Sequence, residues 1–191
     1  NAWIDAESDD GRAYWSALQI IRQWTKESHF AIHNAVLEAV NGKVVERFWN
    51  EHNFVFRRGD GLYYHAKGAT PVFDGFNEQP DDMACGLRLI PLNMAQPILI
   101  VRGKDAPNGL GFAPHGAGRN YSRTAYLRTL EGRDPQEVIR EQAPYVDSRY
   151  FNGVPDLSEL PGAYKNAKSV RRQIEDFGLA KRVRVTGTEG S

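Results

Sequence analysis

The sequence predicts an α+β fold in which helices flank a cluster of β-strands. Two observations predict this class: a segment of helical periodicity near the start, and several short β-branched and aromatic runs separated by glycine or proline. Hydrophobic residues make up 41% and charged residues 25%, which is typical of a globular protein. The 191 residues are enough for one domain with a core, so we expect a single domain or a fragment over 1–191.

The first predicted element is a helix. Residues 13–41 contain neither glycine nor proline, and apolar or small residues recur there at every third or fourth position. We expect one long helix or two joined helices, capped by Asp9 or Asp10 and ended by Asn41-Gly42.

Strands follow this helix. The runs at 43–48, 53–58 and 61–66 are rich in β-branched and aromatic residues, and Asp60-Gly61 is a hairpin signal between the last two. The remaining elements that we expect are a polar loop at 74–86, strands at 87–93 and 97–103, helices at 120–131, 135–142 (capped by Asp134) and 166–177, irregular chain at 143–164 and a last strand at 180–185.

Charge is balanced over the whole chain but not along it. Lys plus Arg and Asp plus Glu both number 24, which gives no net attraction to nucleic acid. The stretch from Lys165 to Arg184 nevertheless has seven basic and two acidic residues. It is either a solvated helix face or a phosphate-binding surface.

Cysteine content and hydropathy exclude several classes of protein. The single cysteine, Cys85, cannot form an internal disulfide or a thiolate-rich zinc site, and we interpret it as a small buried residue. No apolar run is long enough to cross a bilayer, and the acidic first ten residues do not resemble a secretory leader. These features favour a cytoplasmic protein without a membrane segment.

Four stretches combine polar side chains with glycine or proline: EHNFV, YYHAKGAT, IPLNMAQP and HGAGR. In the last, His115 is a base, a metal ligand, a nucleophile or an ordinary loop residue. The spacing places it at the start of a predicted helix, where anions are favoured. Its Gly-Ala-Gly run matches neither the P-loop nor the dinucleotide fingerprint.

Other histidines leave two readings open. His29 and His33 are four residues apart, so they face the same side of a helix as either a metal pair or polar positions beside the core. His65 and Lys67 either approach phosphate or RNA or cap a strand.

Taken together and in this order, the four stretches resemble the C-terminal half of the RtcB-type RNA-splicing ligase family. The matching segments are His52-Asn53, His65-Ala66-Lys67-Gly68-Ala69-Thr70, Ile90-Pro91, Met94, His115-Gly116-Ala117-Gly118-Arg119 with Ser122-Arg123, and Ala163-Tyr164-Lys165.

The resemblance implies an activity. Such ligases join an RNA 2′,3′-cyclic phosphate or 3′-phosphate end to a 5′-hydroxyl end, using GTP and Mn²⁺. The histidine of HGAGR attacks the α-phosphate of GTP and becomes guanylylated, which assigns the catalytic role to His115. The histidine of the HN pair is a manganese ligand, which assigns that role to His52.

The resemblance also implies nucleotide contacts. It suggests that Arg119 holds a phosphate as a charged fork and that the ring of Tyr164 stacks on guanine. The full set of implied cofactor-binding residues is His52, Asn53, Pro91, Leu92, Asn93, Met94, Gly116, Ala117, Gly118 and Tyr164.

The sequence departs from the family pattern in the predicted guanine pocket. Leu92 replaces a glycine, Asn93 a serine and Ile98 a further serine. At the C-terminal end Thr186 falls where the family has a lysine, with Lys181 as an alternative.

A second departure is larger, because the family's upstream half supplies an Asp, a Cys and two His ligands that have no match here. We therefore expect the missing N-terminal half as a partner besides RNA. Three hypotheses follow: a ligase active only with that half, a divergent and catalytically impaired module that binds RNA ends, and a damage-specific ligase variant. His52, His115 and Arg119 favour an enzyme.

Overall fold

The computed structural model describes residues 3–47, 49–72, 86–104, 106, 109–147 and 151–185. This part of the chain contains four α-helices and seven short strands, which confirms the α+β class. All strand pairs given by the structure are antiparallel. The chain divides into two compact units, Asn1–Arg47 and Phe48–Ser191.

The first unit contains the predicted long helix as one uninterrupted element, α1 (Asp9–Ala39). The predicted cap, Asp9 or Asp10, was wrong, because the helix is capped by Ser8, whose hydroxyl accepts a hydrogen bond from the Gly11 amide at 3.0 Å. Asp9 and Asp10 instead lie in the first turn, where their negative charges interact favourably with the helix dipole. The helix ends before Asn41, whose φ is 48°, as predicted.

The strand expected at 43–48 is wrong for residues 43–47, which form no strand. Arg47 instead folds back on α1, where its guanidinium lies 5.0 Å from the ring centroid of Phe30 and donates to Asn34 at 2.6 Å. Arg47 is thus held by side-chain contacts to α1 and not by backbone hydrogen bonds to a neighbouring strand. Phe48 lies outside the described residues.

The second unit begins with the predicted hairpin, β1 (Val55–Arg57) and β2 (Tyr63–His65). Its turn is confirmed at Asp60-Gly61, where Gly61 has a φ of 79° and the Asp60 carboxylate accepts from the Leu62 amide at 2.9 Å. One face of this hairpin packs Phe56 against Phe112.

A second strand pair was not predicted from the sequence. β3 (Ala69–Pro71) pairs with β6 (Phe112–Pro114) and places the chain after Pro114 beside the base of the hairpin. The expectation that His115 lies at the start of the helix predicted at 120–131 is wrong, because that helix begins only at Arg123. The next helix, α2 (Arg123–Thr129), begins after the Ser122 cap.

A three-stranded sheet and a helix enclose the main core of this unit. The order of the sheet is β4 (Leu87–Ile90), β5 (Leu99–Gly103) and β7 (Ala180–Val185), and α4 (Ala167–Asp176) follows the Asn166 cap. The buried residues of this sheet core are Val72, Ile90, Leu92, Leu99, Val101, Ala113, Ala117, Val170, Ile174 and Ala180.

A separate helical core lies between α2, α3 (Pro135–Gln142) and two short 3₁₀ turns, Leu157–Glu159 and Pro161–Ala163. The predicted Asp134 cap is confirmed by its bond from the Glu137 amide at 2.8 Å. The buried residues of the helical core are Tyr126, Leu130, Val138, Ile139, Ala143, Leu160 and Ala163.

The predicted polar loop at 74–86 lies outside the described residues except for its last position. In the part of the chain that the structure describes, no helix combines the length and the apolar character needed to cross a membrane.

Candidate active site

His115 and His52 form a stacked pair of imidazoles. Their ring centroids are 3.5 Å apart and their planes differ by 7°. His115 is half-buried and directly follows β6, and its backbone amide donates to the Gly68 carbonyl at 2.9 Å. The pairing of β3 with β6 therefore fixes the position of the His115 backbone.

Polar contacts on buried residues hold the segment that carries His52. The Asn50 amide group donates to the Thr70 hydroxyl at 3.0 Å and accepts from the Leu89 amide at 2.9 Å. The Thr70 hydroxyl in turn donates to the Glu51 carbonyl at 2.5 Å. β3 and β4 thus set the backbone that leads into His52.

Asn53 closes the base of the hairpin. It has a φ of 52°, and its side-chain oxygen accepts a hydrogen bond from the Gly68 amide. Asparagine tolerates this left-handed conformation better than most residues. This oxygen is thus engaged within the protein. The predicted contact of Asn53 with a nucleotide stays a prediction.

A cavity of about 700 Å³ lies beside His115. It brings together most of the residues that the family resemblance assigned to the nucleotide, although His52 and Asn53 are not among its lining residues. The cavity is lined by Pro91, Leu92, Asn93, Met94, Gln96, Pro97, Ile98, His115, Gly116, Ala117, Gly118 and Tyr164.

Two of the lining residues anchor the cavity walls rather than expose a side chain to it. Leu92 is 2% and Ala117 is 4% exposed, both belong to the sheet core, and the Ala117 amide donates to the Leu92 carbonyl at 3.2 Å. Leu92 does not have a positive φ, so the leucine at this position is unstrained. The polar and flexible lining comes from Asn93 and Met94, which follow it.

The glycines beside His115 leave room at the cavity wall. A Cβ on Gly116 would lie 3.1 Å from the Pro91 carbonyl, and Gly118 has a φ of 74° that favours glycine. The Lys165 ammonium lies 3.9 Å from the point that a Cβ of Gly118 would occupy. An anion approaching this glycine would therefore meet a positive charge.

Arg119 supports Tyr164. Its guanidinium carbon lies 5.0 Å from the ring centroid of Tyr164, and its nitrogens donate to the Tyr121 carbonyl at 3.0 Å and the Ser158 carbonyl at 2.7 Å. A third contact reaches the Glu159 carboxylate at 3.3 Å. The fork expected to hold a phosphate is thus engaged within the protein.

Glu159 completes this arrangement and was not found by sequence reasoning. Its carboxylate accepts a hydrogen bond from the Tyr164 hydroxyl and forms ion pairs with Arg119 and Arg123. The hydrogen bond from Tyr164 is the main cause that lowers the pKa of Glu159 below its ordinary value. Glu159 lies in a stretch that the sequence marks only as irregular, which carries no signal of this contact.

We expect Glu159→Ala to loosen the Tyr164 ring and to destabilise the protein by about 1 kcal/mol, since the carboxylate is partly exposed and its ion pairs are screened. Glu159→Gln, which retains an acceptor for the hydroxyl, should lose less. Urea unfolding of both variants measures the difference. Equal losses in the two variants would contradict a role for the Tyr164 hydrogen bond.

Burial and a neighbouring ring change the protonation of His115. Loss of solvent, and then the charge of His52, lower the pKa of His115 from 6.5 to about 4. Its imidazole is therefore neutral at physiological pH, which is the form that has a nucleophilic lone pair.

The lowered pKa gives a pH dependence with a definite sign. Between about pH 6.5 and 4 the unfolded chain binds a proton at His115 that the folded protein does not, so stability falls as the pH falls through this window. In metal-free protein, the His115 ring protons should titrate by NMR with a midpoint near 4. A midpoint at or above 6.5 would contradict the stacked, half-buried geometry.

The described residues do not build a metal site by themselves. No group of three or more His, Cys, Asp or Glu side chains able to hold a metal ion occurs among them. His29 and His33 both lie on α1, but no third ligand joins them within the described ranges. A divalent ion at His52 would need ligands from outside this set.

A neutral histidine beside a glycine-lined cavity with an aromatic wall defines a candidate nucleotide-binding site. The model of the family described as tRNA-splicing ligase RtcB matches residues 2–188. The chain belongs to the RtcB family.

Individual relatives agree with this assignment. The chain is 31% identical to tRNA-splicing ligase RtcB of Archaeoglobus fulgidus over 88% of its own length and 37% of that relative. It is 26% identical to the protein of the same name from Pyrococcus abyssi, over 94% and 22%. For the Aeropyrum pernix protein the identity is 30%, over 88% and 37%. The chain thus spans well under half the length of these relatives.

Proposed function

We propose that this chain is the nucleotide-binding and guanylylated part of an RNA ligase. The ligase would join 2′,3′-cyclic phosphate or 3′-phosphate ends to 5′-hydroxyl ends, with GTP and Mn²⁺ as cofactors. It would act together with an upstream half that supplies the remaining metal ligands. Membership of the family described as tRNA-splicing ligase RtcB supports the ligase class.

The observation that carries the proposal is the position of His115. Its neutral ring lines the cavity of about 700 Å³ and is stacked on His52. A cavity of this volume is in the usual range for small-molecule sites. Tyr164, held by Glu159 and Arg119, supplies an aromatic wall for a base.

The chemistry proposed for His115 is a displacement at phosphorus. An imidazole nitrogen attacks the α-phosphorus of GTP, a nitrogen–phosphorus bond forms, and the bond to the bridging oxygen breaks so that pyrophosphate leaves with the electron pair. An oxygen of the RNA 3′-phosphate then attacks the guanylate phosphorus, and the nitrogen–phosphorus bond breaks so that His115 is regenerated. The 5′-hydroxyl oxygen finally attacks the activated 3′-phosphorus, loses its proton and displaces GMP. Lys165, beside Gly118, is positioned to attract phosphate charge during binding.

For the metal, we propose His52 as one ligand. Mn²⁺ would supply electrostatic stabilisation of phosphate oxygens when bound. Because the described residues lack a set of three ligands, the other ligands have to come from outside them.

Labelling with radioactive GTP tests the proposal. The protein, with and without its upstream half, is incubated with labelled GTP and Mn²⁺, and the product is checked for an acid-labile, hydroxylamine-insensitive bond. Mass spectrometry should then map one added GMP to the peptide that contains His115. No label in the complete protein would contradict the enzyme, and label from ATP would show a changed base preference.

The second candidate is a catalytically impaired module that binds RNA ends. The apolar residue Ile98 favours it, since this side chain lines the cavity where the family resemblance places a serine. In that case the complete protein binds RNA ends but takes no label from GTP, whereas the ligase does both.

A further inference from the structure

The hairpin of β1 and β2 has one packed face and one outward face. The register pairs Val55 with His65 and Arg57 with Tyr63, so these four side chains share a face because side chains alternate along a strand. The opposite face carries Phe56, which is buried. We call the surface formed by Val55, Arg57, Tyr63 and His65 the outward face.

The outward face combines a cation with an aromatic ring. The Arg57 guanidinium carbon lies 5.7 Å from the ring centroid of Tyr63, which is 39% exposed. Arg57 is partly exposed, its Nε atom is buried without a hydrogen-bond acceptor, and no ion pair joins it to a carboxylate among the described residues. This guanidinium is therefore not neutralised by the protein around it.

The charge of the hairpin segment is positive although the whole chain is neutral. Residues 52–72 contain Arg57, Arg58 and Lys67 but a single acid, Asp60. The Asp60 carboxylate is engaged by the Tyr64 hydroxyl at 2.7 Å and the Leu62 amide at 2.9 Å, so it lies at the turn. The excess of positive charge favours a polyanion.

The hairpin is joined to the candidate active site at its base. It leaves the site after His52-Asn53 and returns at Gly68, whose carbonyl accepts from the His115 amide at 2.9 Å. The Ala66 amide, donating to the Phe54 carbonyl at 2.9 Å, closes the base. An RNA strand with its 3′ end at His115 would therefore have the hairpin beside its next nucleotides.

We propose that the outward face binds unpaired nucleotides of the RNA strand that carries the 3′-phosphate. Arg57 would contact a phosphate, and Tyr63 would stack on a base. The assignment rests on the proposed function, because that function brings the 3′-phosphate to His115. Each strand of the hairpin covers roughly 10 Å, at ~3.3 Å per residue, which suits a short stretch of nucleotides.

Binding of a fluorescent, unpaired RNA oligonucleotide with a 3′-phosphate tests the proposal by anisotropy in the complete protein. Arg57→Gln should weaken binding about tenfold and reduce the salt dependence by about one unit of slope. Tyr63→Ala should weaken binding about tenfold without changing that slope, whereas Tyr63→Phe should bind like the unsubstituted protein. Arg57→Lys should keep the slope.

Matched controls lie on other surfaces of the same unit. Arg128→Gln removes an exposed charge from α2, and Tyr145→Ala removes a ring that is 99% exposed. Both should bind RNA like the unsubstituted protein, and thermal unfolding verifies that every variant is folded. If the Arg57 and Tyr63 variants bind as tightly as these controls, the outward face is only a solvated surface and the inference is wrong.

Failure of the proposed function would look different. GTP labelling of the unsubstituted protein is measured without RNA, so it does not depend on the hairpin. Label at His115 combined with unaffected RNA binding by the hairpin variants would overturn the inference alone. Absence of both label and RNA binding in the unsubstituted protein would overturn the two together.

Discussion

Replacing His115 with alanine is expected to abolish transfer of GMP from GTP to the protein, a loss of at least about a thousandfold or ~4 kcal/mol of barrier. The variant lacks the only atom that we propose to bond to the α-phosphorus. It should still fold, because His115 is half-buried and its main structural contact, the bond to the Gly68 carbonyl, uses the backbone. Labelled GTP and urea unfolding measure the two properties in parallel.

The matched control for this prediction is His33→Ala. His33 is an exposed histidine on α1, and its removal should leave both labelling and stability unchanged. Full labelling of the His115 variant would show that another residue is the nucleophile. If His115→Ala loses the label but also unfolds, the test is repeated with His115→Asn, whose side chain is polar and of similar size.

Restoring the family's glycine at position 92 is expected to destabilise the protein by about 4 kcal/mol, in the range of large core truncations. Leu92 is 2% exposed and packs within the sheet core, so its loss leaves a cavity under the wall of the nucleotide site. Glycine would also gain conformational freedom in the unfolded chain. Urea unfolding of Leu92→Gly measures the change in the free energy of unfolding.

The companion change Ile98→Ser should alter stability by less than about 1 kcal/mol, because this side chain is 37% exposed. Both substitutions restore a residue that the family pattern has, yet only the first removes core packing. If Leu92→Gly were as stable as Ile98→Ser, the leucine would lie in the cavity rather than in the core.

Features with a local cause were predicted from the sequence. The long helix, the Asp60-Gly61 turn and the Asp134 cap depend on residues within a few positions of each other, and their physical signals are equally local. The pair of β3 and β6 was missed because it joins segments far apart in the sequence, each only three residues long. No periodicity can be read in a run of that length.

The candidate site divides in the same way. Its segments were identified because glycine-rich and histidine-containing stretches resemble a known family, and the structure gathers most of them around one cavity. The stacking of His52 on His115 and the support of Tyr164 by Glu159 were not predicted. Both depend on side-chain orientation across long sequence separations, which spacing does not encode.

The segment between Asn120 and Tyr164 leaves and re-enters the fold at one point. The Asn120 amide donates to the Ala163 carbonyl and the Lys165 amide to the Gly118 carbonyl, each at 2.9 Å. All buried residues of the helical core come from this segment. We therefore expect the segment to open as one cooperative unit, and we expect a nucleotide held by Tyr164 to slow amide hydrogen exchange throughout it.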